Sequence, residues 1–105
     1  MQTNAIGCVK AATKILGDKW TPQLLRFFIN EESVRFCQIQ DLVEGINPRT
    51  LSARLDGLEK EGIIQKIFPN EKSRCAYILT EKGRALTPIL RDMQAWSAQY
   101  APHTH

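Results

Sequence analysis

The sequence predicts an α+β fold that is mainly helical and carries a small β-hairpin. Two short helical segments are joined by a turn at Gly45-Ile46, and the second of them starts at Asn47-Pro48. After Gly62, two β-prone segments flank a polar stretch, and a further helical pattern follows. A helix-turn-helix followed by a hairpin is the order of a winged helix-turn-helix, in which the hairpin is the wing.

Length and composition fit one ordinary globular domain. The 105 residues allow a single domain over 1–105, with 43% hydrophobic and 24% charged residues. Fourteen Lys and Arg against eleven Asp and Glu give a net charge of +3. This charge permits a polyanionic partner but does not by itself indicate one. Whether the chain binds a polyanion must be judged from where its charged residues lie.

The N-terminal third is expected to form two helices and a short strand. Residues 5–16 carry apolar side chains at helical spacing, and Gly17 offers the left-handed residue that commonly ends a helix. A strongly apolar second helix follows over 20–28, with Pro22 near its start, where a missing N–H is harmless. Val34-Arg35-Phe36 is a β-prone piece that supplies a third strand.

The helix-turn-helix is placed at 37–61. Its first helix is small and runs over about 37–43. Its second helix opens at Asn47, one of the best N-cap residues, with Pro48 preorganised for the first helical position. One narrow apolar stripe, which should pack on the core, consists of Leu51, Leu55 and Leu58.

The wing hairpin is placed at 63–79 and the C-terminal dimerisation helix at 81–100. Two strands within the wing are joined by a polar, charged tip. Thr80 can cap the last helix, and Pro88 should bend it or delay its regular part.

The second helix of the helix-turn-helix has the composition of a DNA-reading element. Such a helix presents its N-terminal residues to the major groove, where small polar and cationic side chains are favoured. Arg49 can reach guanine O6 and N7 or a phosphate, although a solvated amphipathic helix would also explain it. The candidate DNA-binding residues on this helix are Asn47, Pro48, Arg49, Thr50, Ser52, Ala53 and Arg54.

Two further candidates, Lys72 and Arg74, lie at the tip of the predicted wing. From there they can touch the adjacent minor groove or flanking phosphates. A charged, solvated turn is the alternative, and Glu71 weakens the electrostatic case. Because the basic residues are not interleaved with aromatic ones, double-stranded DNA is favoured over a single strand.

The last helix carries a regular apolar face that a chain of this size has little core to cover. This face predicts a homodimer, and packing within one chain is the alternative. The candidate interface residues are Leu86, Leu90, Met93, Trp96 and Tyr100.

The sequence carries no sign of catalysis, of a cofactor or of a metal. No nucleophile elbow, phosphate loop or paired carboxylates are recognisable, and the three cysteines lie far apart without zinc-ligand spacing. His103 and His105 fall in a tail to which we assign no role. Without a membrane span or a signal-peptide core, we expect a cytoplasmic protein that has no membrane partner and is not an enzyme.

Several motifs together make the chain resemble the HxlR-type transcriptional regulators, winged-helix proteins related to the MarR regulators. The resemblance implies a homodimer joined through its terminal helices, with two recognition helices in successive major grooves of a pseudo-palindromic operator. The alternative is a winged-helix module that binds protein instead of DNA. The motifs are Cys8-Val9, Leu16-Gly17-Asp18-Lys19-Trp20, Arg35-Phe36, Gly45-Ile46-Asn47-Pro48-Arg49-Thr50-Leu51-Ser52-Ala53-Arg54-Leu55, Leu58-Glu59, Gly62-Ile63-Ile64 and Tyr77-Ile78-Leu79-Thr80-Glu81-Lys82-Gly83.

The resemblance also assigns a redox-sensing role to Cys8, since a cysteine near the start of the first helix responds to quinones, aldehydes or oxidants in several members. A thiol in the first turn of a helix feels the positive end of the helix dipole, which favours the reactive thiolate. An inert, buried Cys8 is the alternative. Cys37 or Cys75 could resolve an oxidised Cys8, but we expect both to be buried.

Overall fold

The computed structural model describes residues 9–68 and 75–101 and confirms the mainly helical α+β fold with a wing. The helices within these ranges are α1 (Lys10–Leu16), α2 (Thr21–Leu25), α3 (Phe36–Leu42), α4 (Pro48–Lys60), α5 (Glu81–Arg84) and α6 (Thr87–Tyr100). The strands are β1 (Val34–Arg35), β2 (Ile64–Ile67) and β3 (Ala76–Leu79).

The turn between α1 and α2 differs from the expectation at Gly17. This residue has φ −81°, so the predicted left-handed helix end is wrong. Glycine suits the position for another reason, because a Cβ there would collide with the carbonyl oxygen of Thr13. Asp18 then caps α2, since its carboxylate accepts hydrogen bonds from the backbone N–H groups of Trp20 and Thr21, both at 2.8 Å.

The second helix is shorter than its apolar pattern predicts. Pro22 lies in its first turn, as expected, but regular α-helix ends at Leu25 and a 3-10 turn over Arg26–Phe28 continues it. Such tightening is common at the end of a helix. The apolar pattern still holds, because Leu24, Leu25 and Phe28 are buried.

Helices α3 and α4 form the predicted helix-turn-helix. The turn between them contains Gly45 with φ 87°, a left-handed conformation that favours glycine. Helix α4 begins as predicted, because the side-chain oxygen of Asn47 accepts a hydrogen bond from the N–H of Thr50 at 2.8 Å. Gly62, with φ 76°, follows the end of α4 and turns the chain into β2.

The three strands form one antiparallel sheet in the order β1, β3, β2. In the wing, Ile64 pairs with Leu79 and Ile67 pairs with Ala76, while Val34 of β1 pairs with Tyr77. The predicted third strand therefore lies beside β3, on the side opposite β2. The connection between β2 and β3, over 69–74, lies outside the described residues.

Helices α2, α3, α4 and the sheet enclose one apolar core. The leucine stripe of α4 is fully part of it, since Leu51 and Leu55 have no exposed surface and Leu58 is 4% exposed. The other buried core residues are Leu24, Leu25, Phe28, Val34, Ile39, Val43, Ile46, Ile63, Ile64, Tyr77, Leu79, Leu86 and Leu90.

Two helices replace the single helix expected over 81–100. Thr80 caps the short α5, as its hydroxyl oxygen accepts a hydrogen bond from the N–H of Gly83 at 3.0 Å. Pro88 lies in the first turn of α6, and a continuous helix would bring its ring against the carbonyl of Arg84. Within the described residues, no helix is long and apolar enough to cross a membrane.

We predict that Gly57→Ala stabilises the protein by about 0.5–1 kcal/mol, the usual gain on replacing glycine by alanine inside a helix. Gly57 lies in the middle of α4, and a Cβ built there meets no atom within 4 Å. The measurement is the free energy of unfolding from urea titration.

Gly83→Ala is the matched control, because a Cβ at Gly83 would collide with the carbonyl oxygen of Ile63. This variant should be destabilised. A Gly57→Ala protein less stable than the wild type would show that α4 needs flexibility at that position.

Candidate nucleic-acid interface

The first two turns of α4 present a small, polar surface to solvent. Asn47, Pro48 and Arg49 are exposed, Thr50 is half-buried, and Ser52 and Ala53 are again exposed. The buried leucines fix the rotation of the helix, so that these residues lie on the outer face and its flanks. Because Ser52 and Ala53 are small and exposed, another molecule can approach the helix backbone closely there.

Charge is distributed unevenly along α4. Its N-terminal half carries Arg49 and Arg54 and no acidic residue, whereas its C-terminal half carries Asp56, Glu59 and Lys60 and is followed by Glu61. The helix dipole adds partial positive charge at the N-terminus. A polyanion is therefore attracted more strongly to the first two turns than to the last two.

The C-terminal end of α4 is held by residues that follow the wing. Lys82 of α5 donates a hydrogen bond from Nζ to the carbonyl oxygen of Glu61 at 2.8 Å. The hydroxyl of Thr80 donates to the carbonyl oxygens of Gly62 and Ile63. The bond from Lys82 satisfies the carbonyl of the residue that ends α4, and the bonds from Thr80 bind the carbonyls of the two residues that precede β2. Together they tie the end of α4 to the segment that leads into α6.

Arg54 is the candidate that packs against another element. Its Nε lies 3.5 Å from Oδ1 of Asp18, in the turn between α1 and α2. Desolvation raises the pKa of Asp18, but hydrogen bonds from the Thr21 side chain and backbone, the Trp20 backbone and the charge of Arg54 together lower that pKa below its ordinary value. The carboxylate is therefore ionised at neutral pH and faces a cation of α4.

Asp18 and Lys82 stand in the motifs of the family resemblance, but their contacts with α4 were not predicted. An aspartate three residues before Thr21-Pro22 is a recognisable helix-capping pattern and could have indicated the capping role of the first. Its contact with Arg54, and that of Lys82 with the end of α4, depend on packing between distant segments and have no signal in the sequence.

The predicted wing contacts Lys72 and Arg74 lie outside the described residues. At the base of the wing, Nζ of Lys66 lies 5.9 Å from the ring centre of Tyr77. Burial, followed by the proximity of Cys75, raises the pKa of Tyr77 to about 12, so its hydroxyl stays neutral. Phe68, next to the wing tip, is 67% exposed.

The cysteines do not fall together in the described residues. Cys8 lies outside them, Cys75 is half-buried, and Cys37 is exposed. The expected burial of Cys37 is therefore wrong. Helix α3 buries only Ile39, and a residue two positions earlier lies on the other side of a helix.

The predicted interface residues on the last helix divide into two groups. Leu86 and Leu90 are buried in the chain's own core. Met93, Trp96 and Tyr100 are exposed by 42%, 62% and 63%, and Ile89 joins them with 42%. The rings of Trp96 and Tyr100 lie 5.3 Å apart on this surface. We call the four exposed residues the apolar ridge of α6.

Comparison with known proteins places the whole arrangement in one family. A family model described as HxlR-like helix-turn-helix matches residues 15–105. The HTH-type transcriptional regulator YvaP of Bacillus subtilis is 36% identical over 90 residues, which are 85% of this chain and 82% of YvaP. YodB, an HTH-type transcriptional regulator of the same organism, is 30% identical over 93 residues, which are 88% of this chain and 82% of YodB.

Solved structures agree with the sequence matches. The structure of reduced YodB from B. subtilis matches with a TM-score of 0.76, 27% identity and full coverage of both chains. The redox regulator HypR in its reduced form matches with a TM-score of 0.80 and 29% identity over 87% of this chain and 90% of HypR. YodB is also known in a quinone-bound and a diamide-treated form. The chain described above therefore belongs to the HxlR-like family of helix-turn-helix transcriptional regulators.

Proposed function

We propose that this protein is a homodimer that binds a pseudo-palindromic site in duplex DNA and so regulates transcription. The observation that carries the proposal is the exposed polar surface at the start of α4, which carries Arg49 and no acidic side chain, while the acidic residues of the helix lie in its other half. In a helix-turn-helix the N-terminal residues of the second helix reach the base edges. We also propose a cytoplasmic location, because the matched relatives are bacterial and archaeal and the DNA of such cells lies in the cytoplasm.

In this proposal Arg49 reads a base and the neighbouring polar groups anchor the helix to phosphates. A guanidinium can donate two hydrogen bonds to O6 and N7 of guanine. Thr50 and Ser52 donate to phosphates or base edges, and Ala53 allows the close approach. Lys72 and Arg74 of the wing tip bind the flanking backbone or the minor groove.

The apolar ridge of α6 supports the dimer. Residues 91–100 are all exposed in the single chain, and a helical segment of this length has little stability on its own in water. A second copy of the ridge would cover the exposed aromatic rings in a two-fold interface. Leu86 and Leu90 are already buried in the core of one chain, so we remove them from the predicted interface. The proposed dimer interface then consists of the apolar ridge, Ile89, Met93, Trp96 and Tyr100.

A protein-binding module without specific DNA affinity is the competing function. It predicts weak binding to every duplex and no systematic dependence on salt. The exposed cationic surface at the start of α4 favours DNA, because a protein-binding helix gains more from apolar or aromatic residues there.

Redox control through Cys8 is a separate part of the proposal. It is supported by the family resemblance, which assigns sensing to Cys8, and by the relatives YodB and HypR, of which YodB is known bound to quinone and HypR is named a redox regulator. Cys8 lies outside the described residues, two positions before the start of α1. An adduct there would be close in sequence to the segment whose Lys14 and Asp18 form ion pairs with Glu61 and Arg54, which gives it a route to the spacing of two recognition helices.

The base-reading role is tested with Arg49→Ala. A duplex selected from a random library with the wild-type protein serves as the site, and its single-base-pair variants serve as competitors. Loss of a bidentate base contact should weaken binding to the selected site by about 1–3 kcal/mol and flatten the preference among the variants.

Lys60→Ala is the matched control for Arg49, because both residues are exposed on α4 and Lys60 lies at its far end. We expect this control to bind almost as the wild type does. If Arg49→Ala keeps the base preference and lowers only the salt dependence, Arg49 contacts a phosphate instead.

The dimer is tested by sedimentation of the wild type and Trp96→Glu. The wild type should sediment as a dimer at micromolar concentration. A charge within the apolar ridge should shift the variant toward monomer and weaken binding to a two-half-site duplex, because the two recognition helices are no longer linked. Ala95→Glu, one position earlier on another face, should remain dimeric. A monomeric wild type contradicts the proposal.

The redox role is tested by treating wild type, Cys8→Ser and a Cys37→Ser/Cys75→Ser double variant with diamide or a quinone. DNA binding of the wild type and of the double variant should change, and that of Cys8→Ser should not. Mass spectrometry locates the adducts. A response that persists in Cys8→Ser and disappears in the double variant would assign the sensing to another cysteine.

A further inference from the structure

Ion pairs of Lys14 and Asp18 connect the region of α1 to α4 and its C-terminal end. Nζ of Lys14 lies 3.1 Å from a carboxylate oxygen of Glu61, and both side chains are substantially exposed, so solvent screens this pair strongly. The second pair joins Asp18 and Arg54 and is more enclosed, with side-chain exposures of 33% and 42%. The Lys14–Glu61 pair can therefore serve as a control for the Asp18–Arg54 pair, since both link the region of α1 to α4 but differ in exposure to solvent.

Hydrogen bonds that do not involve Arg54 hold the Asp18 carboxylate in place. Its Oδ1 accepts hydrogen bonds from the N–H groups of Trp20 and Thr21, and its Oδ2 accepts one from the Thr21 hydroxyl. Thr21 is itself 2% exposed and belongs to the first turn of α2, which packs in the core. A carboxylate fixed in this way can orient a flexible arginine without itself having to be ordered.

Arg54 uses only one edge of its guanidinium in this contact. Its Nε is buried against Asp18 and has no hydrogen-bond partner within the described part of the chain. The side chain as a whole is nevertheless 42% exposed, so its solvent-accessible surface belongs to the remaining atoms. An arginine has five N–H donors in a planar fork, so the terminal nitrogens can donate to a second acceptor while Nε faces the first.

The position of Arg54 on α4 indicates what that second acceptor is. Arg54 lies one turn after Thr50, on the flank of the recognition helix and behind the surface formed by Arg49 and Ala53. When the centre of such a helix enters the major groove, its flanks face the phosphates that border the groove. A guanidinium on this flank is placed to donate to a phosphate oxygen.

We propose that Asp18 is a positioning residue for DNA binding, which orients Arg54 so that the outer edge of its guanidinium contacts a backbone phosphate. The assignment rests on the proposed DNA-binding function. An arginine already ordered by Asp18 loses less side-chain freedom on binding than one that is free in solvent. The repulsion between the Asp18 carboxylate and DNA is reduced, because the carboxylate already accepts three hydrogen bonds and is paired with Arg54.

The direction in which Asp18→Asn changes the affinity for DNA distinguishes a positioning role of Asp18 from a purely electrostatic one. Asp18→Asn keeps the oxygen that accepts hydrogen bonds from the N–H groups of Trp20 and Thr21, since Asn caps helices about as well as Asp. It loses the acceptor of the Thr21 hydroxyl, because an amide nitrogen only donates. Removal of a negative charge near DNA should raise the affinity if Asp18 acts only through its charge. If Asp18 positions Arg54, the affinity for the selected duplex should instead fall by about twofold to tenfold, the cost of ordering one flexible side chain.

The experiment measures the binding of the selected duplex over a series of salt concentrations for wild type, Asp18→Asn, Arg54→Gln and the double variant. Arg54→Gln should lower the slope of log K against log salt by about one per protomer. Asp18→Asn should lower both the affinity and the slope. In the Arg54→Gln background, Asp18→Asn should cause no further loss, because the arginine that it orients is absent.

Glu61→Gln is the matched control, since it removes the carboxylate that pairs with Lys14 in the more exposed ion pair. This variant should bind the duplex as tightly as the wild type or slightly more tightly. Thermal melts establish that each variant is folded at the temperature of the titration.

The assignment is overturned if Asp18→Asn binds as tightly as the wild type or more tightly. It is also overturned if the loss persists in the Arg54→Gln background, which would place the effect in the cap of α2. A wild type without salt-dependent binding to any duplex would overturn the proposed function itself.

Discussion

Burial of the leucine stripe of α4 is the constraint on which the rest of the structure depends. Leu51, Leu55 and Leu58 reach the core from one side of the helix, and their burial fixes its rotation. The polar face is then exposed, with Arg49 and Ala53 near its centre. If the helix turned by one residue, about 100°, a leucine would meet solvent and a charged group would meet the core, at a cost of several kcal/mol.

The ends and flank of α4 are fixed by polar contacts that come from three different parts of the chain. Asn47 caps the start, Lys82 binds the carbonyl of Glu61 at the end, Thr80 binds the carbonyl of Gly62 just beyond it, and Asp18 pairs with Arg54 on one flank. Because Lys82 belongs to the segment that leads into α6, and Asp18 follows α1, both terminal regions adjoin α4 directly. A structural change in either region can therefore be transmitted through these contacts to the surface proposed to bind DNA.

Local patterns in the sequence were sufficient to predict the helix-turn-helix, because its start at Asn47-Pro48 and its leucine spacing depend on neighbouring residues alone. The break between α5 and α6 was harder, since apolar spacing continues across it and only Pro88 marks it. The exposure of Cys37 depends on which face of α3 packs, and that face is chosen by the tertiary fold. The contact between Asp18 and Arg54 joins segments distant in sequence, so no local pattern could reveal it.

We propose that the first turns of α4 enter the major groove of duplex DNA, once in each half of a two-fold site. Guanine N7 lies in that groove, and dimethyl sulfate methylates it. Groove insertion is therefore tested most directly by methylation of a selected duplex with and without bound protein. We expect two groups of protected guanines, centred about 10 base pairs apart or at a multiple of that spacing. A duplex that the protein binds while every guanine N7 remains as reactive as in free DNA would contradict groove insertion.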